Sequence, residues 1–587
     1  MKQPLVSVII PSYNHPLFLR TRSIPSVLRQ SYSHWEIIVV GDGPEDESLR
    51  QSVMQFDDPR IRYVDIPRPD YSSLQREQFW HVAGAAARNF GLSIAHGDII
   101  APLDDDDEFM ENHLADCARL IGSGEADFVY GKVLVRDIET GQDYEDYFSW
   151  ADETNRALFP NRNILFHSSV CYSKEFAHLR YPLDGRIAAD YGLWLSIFHA
   201  GARFTSSDHI QAIYYGDSLN KTIRVNVPSL PPREEFIRCV DEIFTSRMLS
   251  NGGVWCRRFE QAIADYVSVP DVVSAPNGDA ALVMAFRALK MICPTKTEVI
   301  LPSYTFPSTA NAIQWNGFEL VFCDVDPATL CMTAEIVKPL ISADTAAIVP
   351  VHAHGNPCDM PSLENLAKER GVFLISDAAP AFGAMIAGRR IGSFGDMEVL
   401  SFSGTKVFTA GEGGAVCCTN PNVAQILRRV GRYGINEDYI SEMPGINGKL
   451  AELPAALALI QLPTFPEQQA RRRMAAERYH TLLAEVPRIR LQGLTDSTAT
   501  SAWKDLALVL PSAHATDRLI ARLSAYRIES RPYYKPLHVM PAFMGCARGS
   551  LVTTDALIGT VLCIPIYNDI RNDTINFVVD VIREALL

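Results

Sequence analysis

The stretch Ser376–Gly414 reads SDAAPAFGAMIAGRRIGSFGDMEVLSFSGTKVFTAGEGG, and it decides how the second half of the chain is interpreted. Asp377 closes an apolar run, VFLIS, and Lys406 follows a second apolar run within EVLSFSGTK. Continuous apolar runs of this length are typical of strands buried in a parallel sheet. The pattern therefore predicts an acid and an amine at the ends of two buried strands.

An acid and an amine in this arrangement are what a pyridoxal 5'-phosphate (PLP) enzyme needs. The lysine forms a Schiff base with the cofactor aldehyde, and the aspartate keeps the pyridine nitrogen protonated so that the ring accepts electrons. An ordinary surface lysine is the alternative, but the GTK sequence follows a buried-type strand and precedes a glycine-rich loop. We therefore predict a PLP site built on Lys406 and Asp377.

Size and composition indicate a soluble chain of two domains. The chain has 587 residues, which exceeds the roughly 250–300 residues that one hydrophobic core supports. Its formal net charge of −15 opposes nonspecific nucleic-acid binding. No apolar stretch approaches the roughly 18–20 residues of a membrane span, the N-terminus lacks a signal-peptide pattern, and the 12 cysteines show no CxxC pair. We expect a cytoplasmic protein with reduced thiols.

The first part of the chain alternates strand and helix patterns. Apolar runs at 5–10, 35–40 and 98–104 predict strands, and helical patterns cover Phe18–Gln30 and Gln78–Ala95. This order predicts a doubly wound α/β domain. A second alternating region begins near Gly252, and a proline-containing polar stretch separates the two. The predicted domains are 1–225 and 248–587, with a linker at 226–247.

Three polar clusters follow strands of the first region, namely PSYN at 11–14, GDG at 41–43 and LDDDD at 103–107. In open α/β sheets, ligands bind beyond the carboxyl ends of the strands. Four consecutive aspartates repel one another unless a cation neutralises them, and Mg²⁺ or Mn²⁺ binds carboxylate and phosphate oxygens together. A metal that holds a nucleoside diphosphate fits these clusters. A solvated acidic loop or a helix N-cap remains the alternative.

Together, the clusters resemble glycosyltransferase family 2, whose members have the GT-A fold. The matching text covers roughly residues 4–220 and includes VSVIIPSYN, EIIVVGDG, AARNFGLSIAHGDIIAPLDDDDEF and AADYGLWLSI. The resemblance implies that Tyr13 and Asp42 bind the nucleotide base and that Arg88 lies near the nucleotide or its phosphates. It also implies a DxD motif, Asp104 and Asp106, that binds the metal and, through Asp104, the nucleotide sugar.

The same resemblance assigns a general base. Asp190, in ADYGLW, occupies the position of the residue that deprotonates the acceptor hydroxyl while the metal stabilises the departing diphosphate. This arrangement implies inversion at the sugar carbon. Trp194 in the same segment has two interpretations, a sugar-stacking residue or a buried core residue.

The second region resembles the DegT/StrS group of sugar aminotransferases, which are fold-type I PLP enzymes. The match spans roughly residues 250–587 and includes NGDAALVMAFRAL, EVILPSYTFPSTANAI, SDAAPAFGA, SFSGTK and GINGKLAEL. By resemblance, Lys406 is the Schiff-base lysine, Asp377 pairs with the pyridine nitrogen, and the other cofactor-binding residues are Ser401, Gly278, Phe306 and Asn447. Ser401 and the helix opened by Gly278 would bind the phosphate, and Phe306 would stack on the ring.

Asn447 would reach the cofactor phosphate of a neighbouring subunit, which implies a homodimer formed through the second domain. Two departures from the family pattern support an alternative. Asp279 stands where a threonine is usual before the phosphate helix, and Pro380, which cannot donate a hydrogen bond, stands where Gln or His is frequent. The second domain could therefore be a scaffold that no longer binds PLP. A sugar-sensing regulator is a further alternative, although no DNA-binding motif occurs.

The leading hypothesis is a bifunctional enzyme of amino-sugar glycoconjugate biosynthesis, for a surface polysaccharide or a metabolite. The second domain would transfer an amino group, with glutamate as donor, to a keto-sugar nucleotide. The first domain would transfer a sugar from a nucleotide-sugar donor to a hydroxyl acceptor. The predicted cofactors are PLP and Mg²⁺ or Mn²⁺.

Overall fold

The computed structural model describes residues 3–43, 47–72, 74–136, 143–215 and 222–586. The chain divides into two compact units. The first comprises Met1–Thr222 with Ala525–Arg527, and the second comprises Ile223–Ser524 with Ile528–Leu587. In the part of the chain described, no helix combines the length and the apolar character that crossing a membrane requires.

The first unit is built on a nine-stranded mixed sheet, in the order β3-β2-β1-β4-β8-β6-β9-β5, with β7 paired to β6. Strands β3, β2, β1 and β4 run parallel, so their carboxyl ends meet at one edge. The strands are β1 Val6–Ser12, β2 Trp35–Asp42, β3 Ile61–Ile66, β4 Ile99–Pro102, β5 Glu108–Phe109, β6 Phe128–Arg136, β7 Asp143–Asp146, β8 Cys171–Ser173 and β9 Phe204–Tyr214.

Helices cover both faces of this sheet region and bury the apolar side chains of β1 and β2. They are α1 Pro16–Phe18, α2 Ile24–Leu28, α3 Glu47–Met54, α4 Arg76–Val82, α5 Ala85–Ile94, α6 His113–Gly122, α7 Glu153–Leu158 and α8 Ala189–His199. A π-helical turn, Leu19–Ser23, joins α1 to α2.

The helical pattern predicted over Gln78–Ala95 corresponds to two helices, α4 and α5. Gly84 separates them with a left-handed backbone, φ +71. A Cβ at Gly84 would lie 3.2 Å from the guanidinium of Arg88, so the break also makes room for that side chain. Glycine adopts this conformation without the steric cost that other residues carry.

The second unit contains an eight-stranded sheet, in the order β10-β18-β17-β14-β13-β11-β12-β21. Strand β18 is antiparallel to both neighbours, and the other pairings in the sheet are parallel. The strands are β10 Asp271–Ala275, β11 Glu298–Pro302, β12 Glu319–Cys323, β13 Thr345–Ile348, β14 Phe373–Asp377, β15 Met385–Ile386, β16 Arg389–Arg390, β17 Met397–Ser401, β18 Gly414–Cys418, β19 Arg490–Leu491, β20 Leu506–Val509, β21 Ala547–Arg548 and β22 Val561–Ile564.

Strands β15 and β16 form a hairpin, and β19, β20 and β22 form a three-stranded sheet. The helices of this unit are α9 Arg233–Ser246, α10 Val254–Val267, α11 Gly278–Ile292, α12 Pro307–Trp315, α13 Ala334–Val337, α14 Met360–Arg370, α15 Pro421–Val430, α16 Glu452–Gln461, α17 Phe465–Leu483, α18 Ala513–Ala525, α19 Val552–Ala556 and α20 Asn572–Leu586. Two large apolar clusters lie on either side of the eight-stranded sheet.

The range 226–247, predicted as a linker, contains helix α9. The side chains of Cys239 and Ile243 on α9 are buried beside Ala456 of α16. The twelve cysteines are free, and all except Cys293 and Cys546 are buried.

Candidate active sites

The first candidate site lies at the carboxyl edge of β2, β1 and β4. Ser12 is paired with Gly41 across β1 and β2, and Ile9 is paired with Pro102 across β1 and β4. The three polar clusters that follow these strands therefore come together at one edge. This is the position at which ligands bind in open α/β sheets.

Tyr13, Gly43 and Arg68 form the part of this edge beside β2. A Cβ on Gly43 would lie 3.0 Å from the Tyr13 ring, and the Arg68 guanidinium lies 3.8 Å from the centroid of that ring. The Tyr13 side chain is exposed, whereas Asp42 is buried, and its Oδ1 has no hydrogen-bond partner among the residues that the structure describes. Burial raises the pKa of Asp42, against the opposing effect of Arg68 and Arg88. A buried acceptor without a donor fits a ligand N–H or O–H group.

Asp104 is held by two basic side chains. Its Oδ1 accepts a hydrogen bond from Nη2 of Arg88 at 2.6 Å and lies 3.2 Å from Nδ1 of His167. The backbone N–H of Asp104 donates to Oγ of Ser168 at 3.1 Å. Burial alone would raise the pKa of Asp104, but His167 and Arg88 hold it well below its ordinary value. Asp104 is therefore an ionised carboxylate.

The next three aspartates alternate in their surroundings. Asp105 is buried and accepts from Oγ of Ser12 at 2.6 Å. Asp107 is buried and accepts from Oγ of Ser168 at 2.6 Å. Asp106 lies between them, half-buried, and burial together with Asp105 and Asp104 raises its pKa to about 7.

This set of carboxylates fits a hard divalent cation. Asp105 and Asp107 each accept a hydrogen bond from a serine hydroxyl group. Asp105 and Asp104 place negative charge beside Asp106, which His15 and Arg22 offset only in part, and a bound cation would relieve the remaining repulsion. Asp104 and Asp106, the two residues predicted as metal ligands, are the less buried pair of the four. Oxygen ligands of this kind suit Mg²⁺ or Mn²⁺.

Asp190 lies in the first turn of α8 and is half-buried. Its Oδ1 accepts from the N–H of Tyr191 at 2.7 Å, and its Oδ2 accepts from Nδ2 of Asn163 at 3.2 Å. Burial alone would lower the pKa of Arg88, but Asp104 and, to a smaller extent, Asp190 raise it. Arg88 therefore lies within electrostatic reach of both predicted functional carboxylates.

Trp194, three residues further on in α8 from Tyr191, is fully buried among the rings of Phe128, His167 and Tyr181. The structure thus supports the core interpretation of this tryptophan over sugar stacking.

The second candidate site lies at the carboxyl edge of β14 and β17. These parallel strands pair Asp377 with Val399, which places Asp377 at the same edge as Ser401. The Oδ2 of Asp377 accepts a hydrogen bond from Oγ1 of Thr309 at 2.6 Å, and its Oδ1 accepts from the N–H of Ala379 at 3.1 Å. Asp377 is thus a buried carboxylate whose orientation is fixed by two donors.

Gly278, Ser401 and Gly414 form a close-packed corner of this edge. Gly414 is paired with Ala275 on one side and with Ser401 on the other, and helix α11 begins at Gly278. A Cβ on Gly278 would lie 2.9 Å from Cβ of Ser401, and a Cβ on Gly414 would lie 2.3 Å from the carbonyl oxygen of Asn277. The absence of these two side chains leaves the first turn of α11 beside Ser401. Such a helix N-terminus favours an anion.

Lys406 is half-buried and lies in a turn in which its N–H donates to the carbonyl oxygen of Ser403 at 3.0 Å. Burial lowers the pKa of the Lys406 amine, and Lys504 lowers it further, while Asp377 and Asp505 oppose the change. A lysine amine with a lowered pKa is the better nucleophile toward an aldehyde.

Phe306 and Asn447, the remaining residues predicted to bind the cofactor, are both exposed. Phe306 is the residue before α12, and the backbone of Asn447 pairs with that of Arg432 in an isolated antiparallel β-bridge. Asp279 is exposed in the first turn of α11, and Pro380 is buried. The side chain of Asp279, the acidic residue that replaces the family's usual threonine, lies in solvent. It therefore places no buried carboxylate beside Ser401.

The sequence interpretation missed a buried network beside Lys406. Nζ of Lys504 donates to Oδ1 of Asp505 at 2.7 Å, and Oδ2 of Asp505 lies 3.3 Å from Nδ1 of His354. Nε2 of His354 lies 2.9 Å from the hydroxyl of Tyr304. The one available signal was a Lys-Asp pair directly before the apolar run LALVL. His167 and Ser168, which contact the aspartates of the first unit, carried no such signal.

The residues of the second site fit PLP. The site combines an oriented buried carboxylate, a lysine amine with lowered pKa, and a helix N-terminus packed against a serine. These groups match the pyridine nitrogen, the aldehyde and the phosphate of the cofactor in charge and hydrogen bonding.

Comparisons with known proteins find a family match for each of the two units. Residues 232–583 match the DegT/DnrJ/EryC1/StrS aminotransferase family, and residues 7–180 match glycosyl transferase family 2. A dTDP-4-amino-4,6-dideoxy-D-glucose transaminase of Shigella dysenteriae is 31% identical over 373 residues, which cover 62% of this chain and 100% of the relative. A GDP-perosamine synthase of Caulobacter vibrioides is 30% identical, with 60% and 95% covered.

Solved structures give the same result for the second unit. The aminotransferase TlmJ of Streptoalloteichus hindustanus is 30% identical with a TM-score of 0.58, over 62% of this chain and 98% of that protein. DesI, whose structure was determined in the presence of its TDP-sugar product, is 31% identical with a TM-score of 0.58, over 62% and 93%. The chain belongs to the DegT/DnrJ/EryC1/StrS aminotransferase family and carries, at residues 7–180, a glycosyl transferase family 2 domain.

Proposed function

We propose that the second unit transfers an amino group to a keto-sugar nucleotide and that the first unit transfers a sugar to a hydroxyl acceptor. The observation that carries the proposal is the second site, where Asp377, Lys406 and the Ser401–Gly278 corner provide three chemically distinct contacts for PLP. The relative named as a transaminase of a dTDP-linked sugar supports the substrate class. Glutamate is the proposed amino donor.

PLP, when bound, supplies an electron sink that stabilises negative charge at the carbon from which a proton is removed. Lys406 provides the amine that holds the cofactor and then moves a proton between substrate and cofactor carbons. Asp377, fixed by Thr309 and Ala379, holds a proton on the pyridine nitrogen. Ser401 and the first turn of α11 bind the phosphate.

In the first unit, Tyr13 and Asp42 are proposed to bind the base of a nucleotide sugar. Asp104 and Asp106 would hold Mg²⁺ or Mn²⁺ together with the diphosphate, and Arg88 would bind near the phosphates. Asp190 is proposed to remove the proton of the acceptor hydroxyl, which attacks the sugar carbon with inversion. A glycoconjugate that contains an amino sugar, such as a surface polysaccharide or a glycosylated metabolite, is the proposed destination.

The decisive experiment is the visible spectrum of the full chain with added PLP, compared with Lys406→Ala. We expect the unaltered protein to show an absorption band at about 410–430 nm, the range for a Schiff base between lysine and PLP. The band should be absent from the variant. Amino transfer from glutamate to keto-sugar nucleotides would then be assayed with the same two proteins.

A missing band at saturating PLP would contradict amino transfer. It would favour the alternative, a glycosyltransferase whose second unit is a scaffold. Two departures from the family pattern motivate that alternative. Asp279 places an acidic residue near the proposed phosphate position, and Pro380 cannot donate a hydrogen bond to the cofactor.

We propose a homodimer because Asn447 is exposed and is predicted to contact the cofactor phosphate in the neighbouring subunit. Lys406→Ala and Asn447→Asp chains, each impaired alone, should complement each other when unfolded together and refolded. Half of the dimers would be mixed, and each would carry one intact site, so about a quarter of the unaltered activity is expected. Equal activities before and after mixing would refute sharing of residues between subunits.

A further inference from the structure

The segment Ile223–Ser229 begins the second unit and precedes residues 232–583, the region that matches the aminotransferase family. Although the sequence suggested a linker for most of it, the segment is bonded to the rest of the unit at several points. The N–H of Val225 donates to Oε2 of Glu529 at 3.0 Å, and the carbonyl oxygen of Val225 accepts from the N–H of Ile566 at 3.1 Å. Nδ2 of Asn568 donates to Oγ of Ser229 at 2.7 Å.

One side chain of this segment reaches the turn that carries Lys406. Nδ2 of Asn226 donates a hydrogen bond to the carbonyl oxygen of Thr405, and Oδ1 of Asn226 accepts from Nη2 of Arg472 at 3.1 Å. A carbonyl oxygen can only accept and a guanidinium can only donate, so these two partners fix the orientation of the amide. Asn226 therefore bridges Arg472 and the residue next to Lys406.

Arg472 is the buried partner in this bridge. Its side chain is almost fully buried on α17, and its other donors reach Oδ1 of Asn568 and the carbonyl oxygens of Trp503 and Ile566, all at 3.0–3.1 Å. In the part of the chain described, no carboxylate lies within ion-pair distance of Arg472. Burial lowers its pKa to about 10. Four neutral oxygens thus hold the guanidinium, and Asn226 supplies one of them.

We propose that Asn226 is a positioning residue of the second candidate site, the amine-transfer site. Asn226 fixes the carbonyl group of Thr405 and thereby the direction in which the turn presents Lys406. The proposal rests on the proposed function for the role of Lys406, but both hydrogen bonds of Asn226 are made to protein groups. It extends the site to a residue outside the family match, contributed by the segment that follows the first unit in the chain.

The substitution Asn226→Asp separates the two halves of the bridge. A carboxylate still accepts from Arg472, and with an added charge, but it has no donor for the Thr405 carbonyl and repels it. Ser229→Ala is the matched control, since it removes another side-chain hydrogen bond of the same segment without touching the Lys406 turn. Asn226→Ala removes both halves.

The first readout is hydrogen exchange of the full chain without PLP, followed in peptides that cover residues 403–409. We expect exchange to accelerate about tenfold in Asn226→Asp and in Asn226→Ala, and to stay within about twofold in Ser229→Ala. The second readout, with PLP, is the pH midpoint of the absorption band and the rate of the half-reaction with glutamate. That rate should fall about tenfold in Asn226→Asp, with little change in the glutamate concentration for half-saturation.

Unaltered exchange and an unaltered band in Asn226→Asp would overturn the proposal. Equal acceleration in Ser229→Ala would also overturn it, because the whole segment would then act as an anchor without a specific role for Asn226. If the unaltered chain shows no band with PLP, the proposed amino transfer fails, and the exchange measurement alone decides whether Asn226 positions the turn.

Discussion

Asp505 illustrates how one buried residue organises charge around the amine-transfer site. It is almost fully buried and lies between Lys504, at 2.7 Å, and His354, at 3.3 Å. Burial alone would raise the pKa of Asp505, but Lys504 and His354 hold it well below its ordinary value. Asp505 in turn raises the pKa of Lys504. The two residues therefore stay ionised together inside the protein.

We expect Asp505→Asn to lower the stability of the second unit by about 3 kcal/mol at pH 7, because Lys504 would lose its buried counter-ion. Thermal unfolding of the variant and of Lys504→Met/Asp505→Leu would be compared, since removal of both charges should restore most of the loss. A loss under about 0.5 kcal/mol in Asp505→Asn would show that the pair contributes as little as a surface ion pair.

The effect of Asp505 should depend on pH in a defined direction. Its pKa is lower in the folded protein than the value of about 3.9 in an unfolded chain, so its ionisation stabilises the fold above that value. The contribution disappears as the pH falls toward the folded-state pKa. The difference in unfolding temperature between the unaltered chain and Asp505→Asn should therefore shrink as the pH is lowered below about 4.

At the scale of elements, Glu452 links two helices of the second unit. It is buried in the first turn of α16, and its carboxylate accepts from the N–H groups of Trp255, at 2.9 Å, and Cys256, at 3.2 Å. These two N–H groups belong to the first turn of α10, which has no intrahelical acceptor for them. The negative charge at this helix N-terminus is favourable.

We expect Glu452→Ala to destabilise the second unit by about 2–4 kcal/mol, since two donors lose their acceptor. Glu452→Gln keeps one acceptor oxygen and should lose about half as much. Glu467→Ala is the control, because the exposed pair of Glu467 with Arg471 on α17 contributes no more than about 0.5 kcal/mol. Urea unfolding of the three variants would measure the differences, and equal losses for Glu452→Ala and Glu467→Ala would refute the cap.

Strands of this protein could be predicted from the sequence because their apolar runs are continuous. The runs at 5–10 and 35–40 and the run VFLIS that precedes Asp377 fall on β1, β2 and β14, which are buried on both faces. Helix boundaries were harder, since the break between α4 and α5 lies at the left-handed backbone of Gly84, and no proline or polar turn marks it in the sequence. The sequence predicted a linker at 226–247 because this segment is rich in prolines and charged residues. Few of its residues are apolar, and those that are buried pack α9 against α16.

Contacts between residues that are far apart in the sequence limit how much of the second candidate site could be predicted. His354 and Asp505 are separated by 151 positions, and Asn226 and Arg472 by 246, so no local pattern connects either pair. By contrast, the DDDD run and the SFSGTK segment carry their chemistry in consecutive residues. The motifs thus predict where the candidate sites lie, whereas the residues that orient the side chains of those sites become visible only in the folded chain.

At the scale of the whole molecule, each unit has its own sheet and its own apolar cores, and each predicted site is built within one unit. We therefore expect the two activities to be separable in the full chain. Asp106→Asn should reduce sugar transfer at least about a hundredfold, because the proposed metal loses a carboxylate ligand, and should leave amino transfer unchanged. Lys406→Ala should have the opposite effect.

Removal of divalent metal tests the same separation without a substitution. A chelator should abolish sugar transfer and leave amino transfer intact, because Lys406 and Asp377 offer PLP an amine and a carboxylate and require no cation. Added Mg²⁺ or Mn²⁺ should restore sugar transfer in the unaltered chain. The same addition should not restore sugar transfer in the Asp106→Asn variant. Loss of both activities on chelation, or in either variant alone, would mean that the two sites depend on each other, which the separate cores of the two units do not predict.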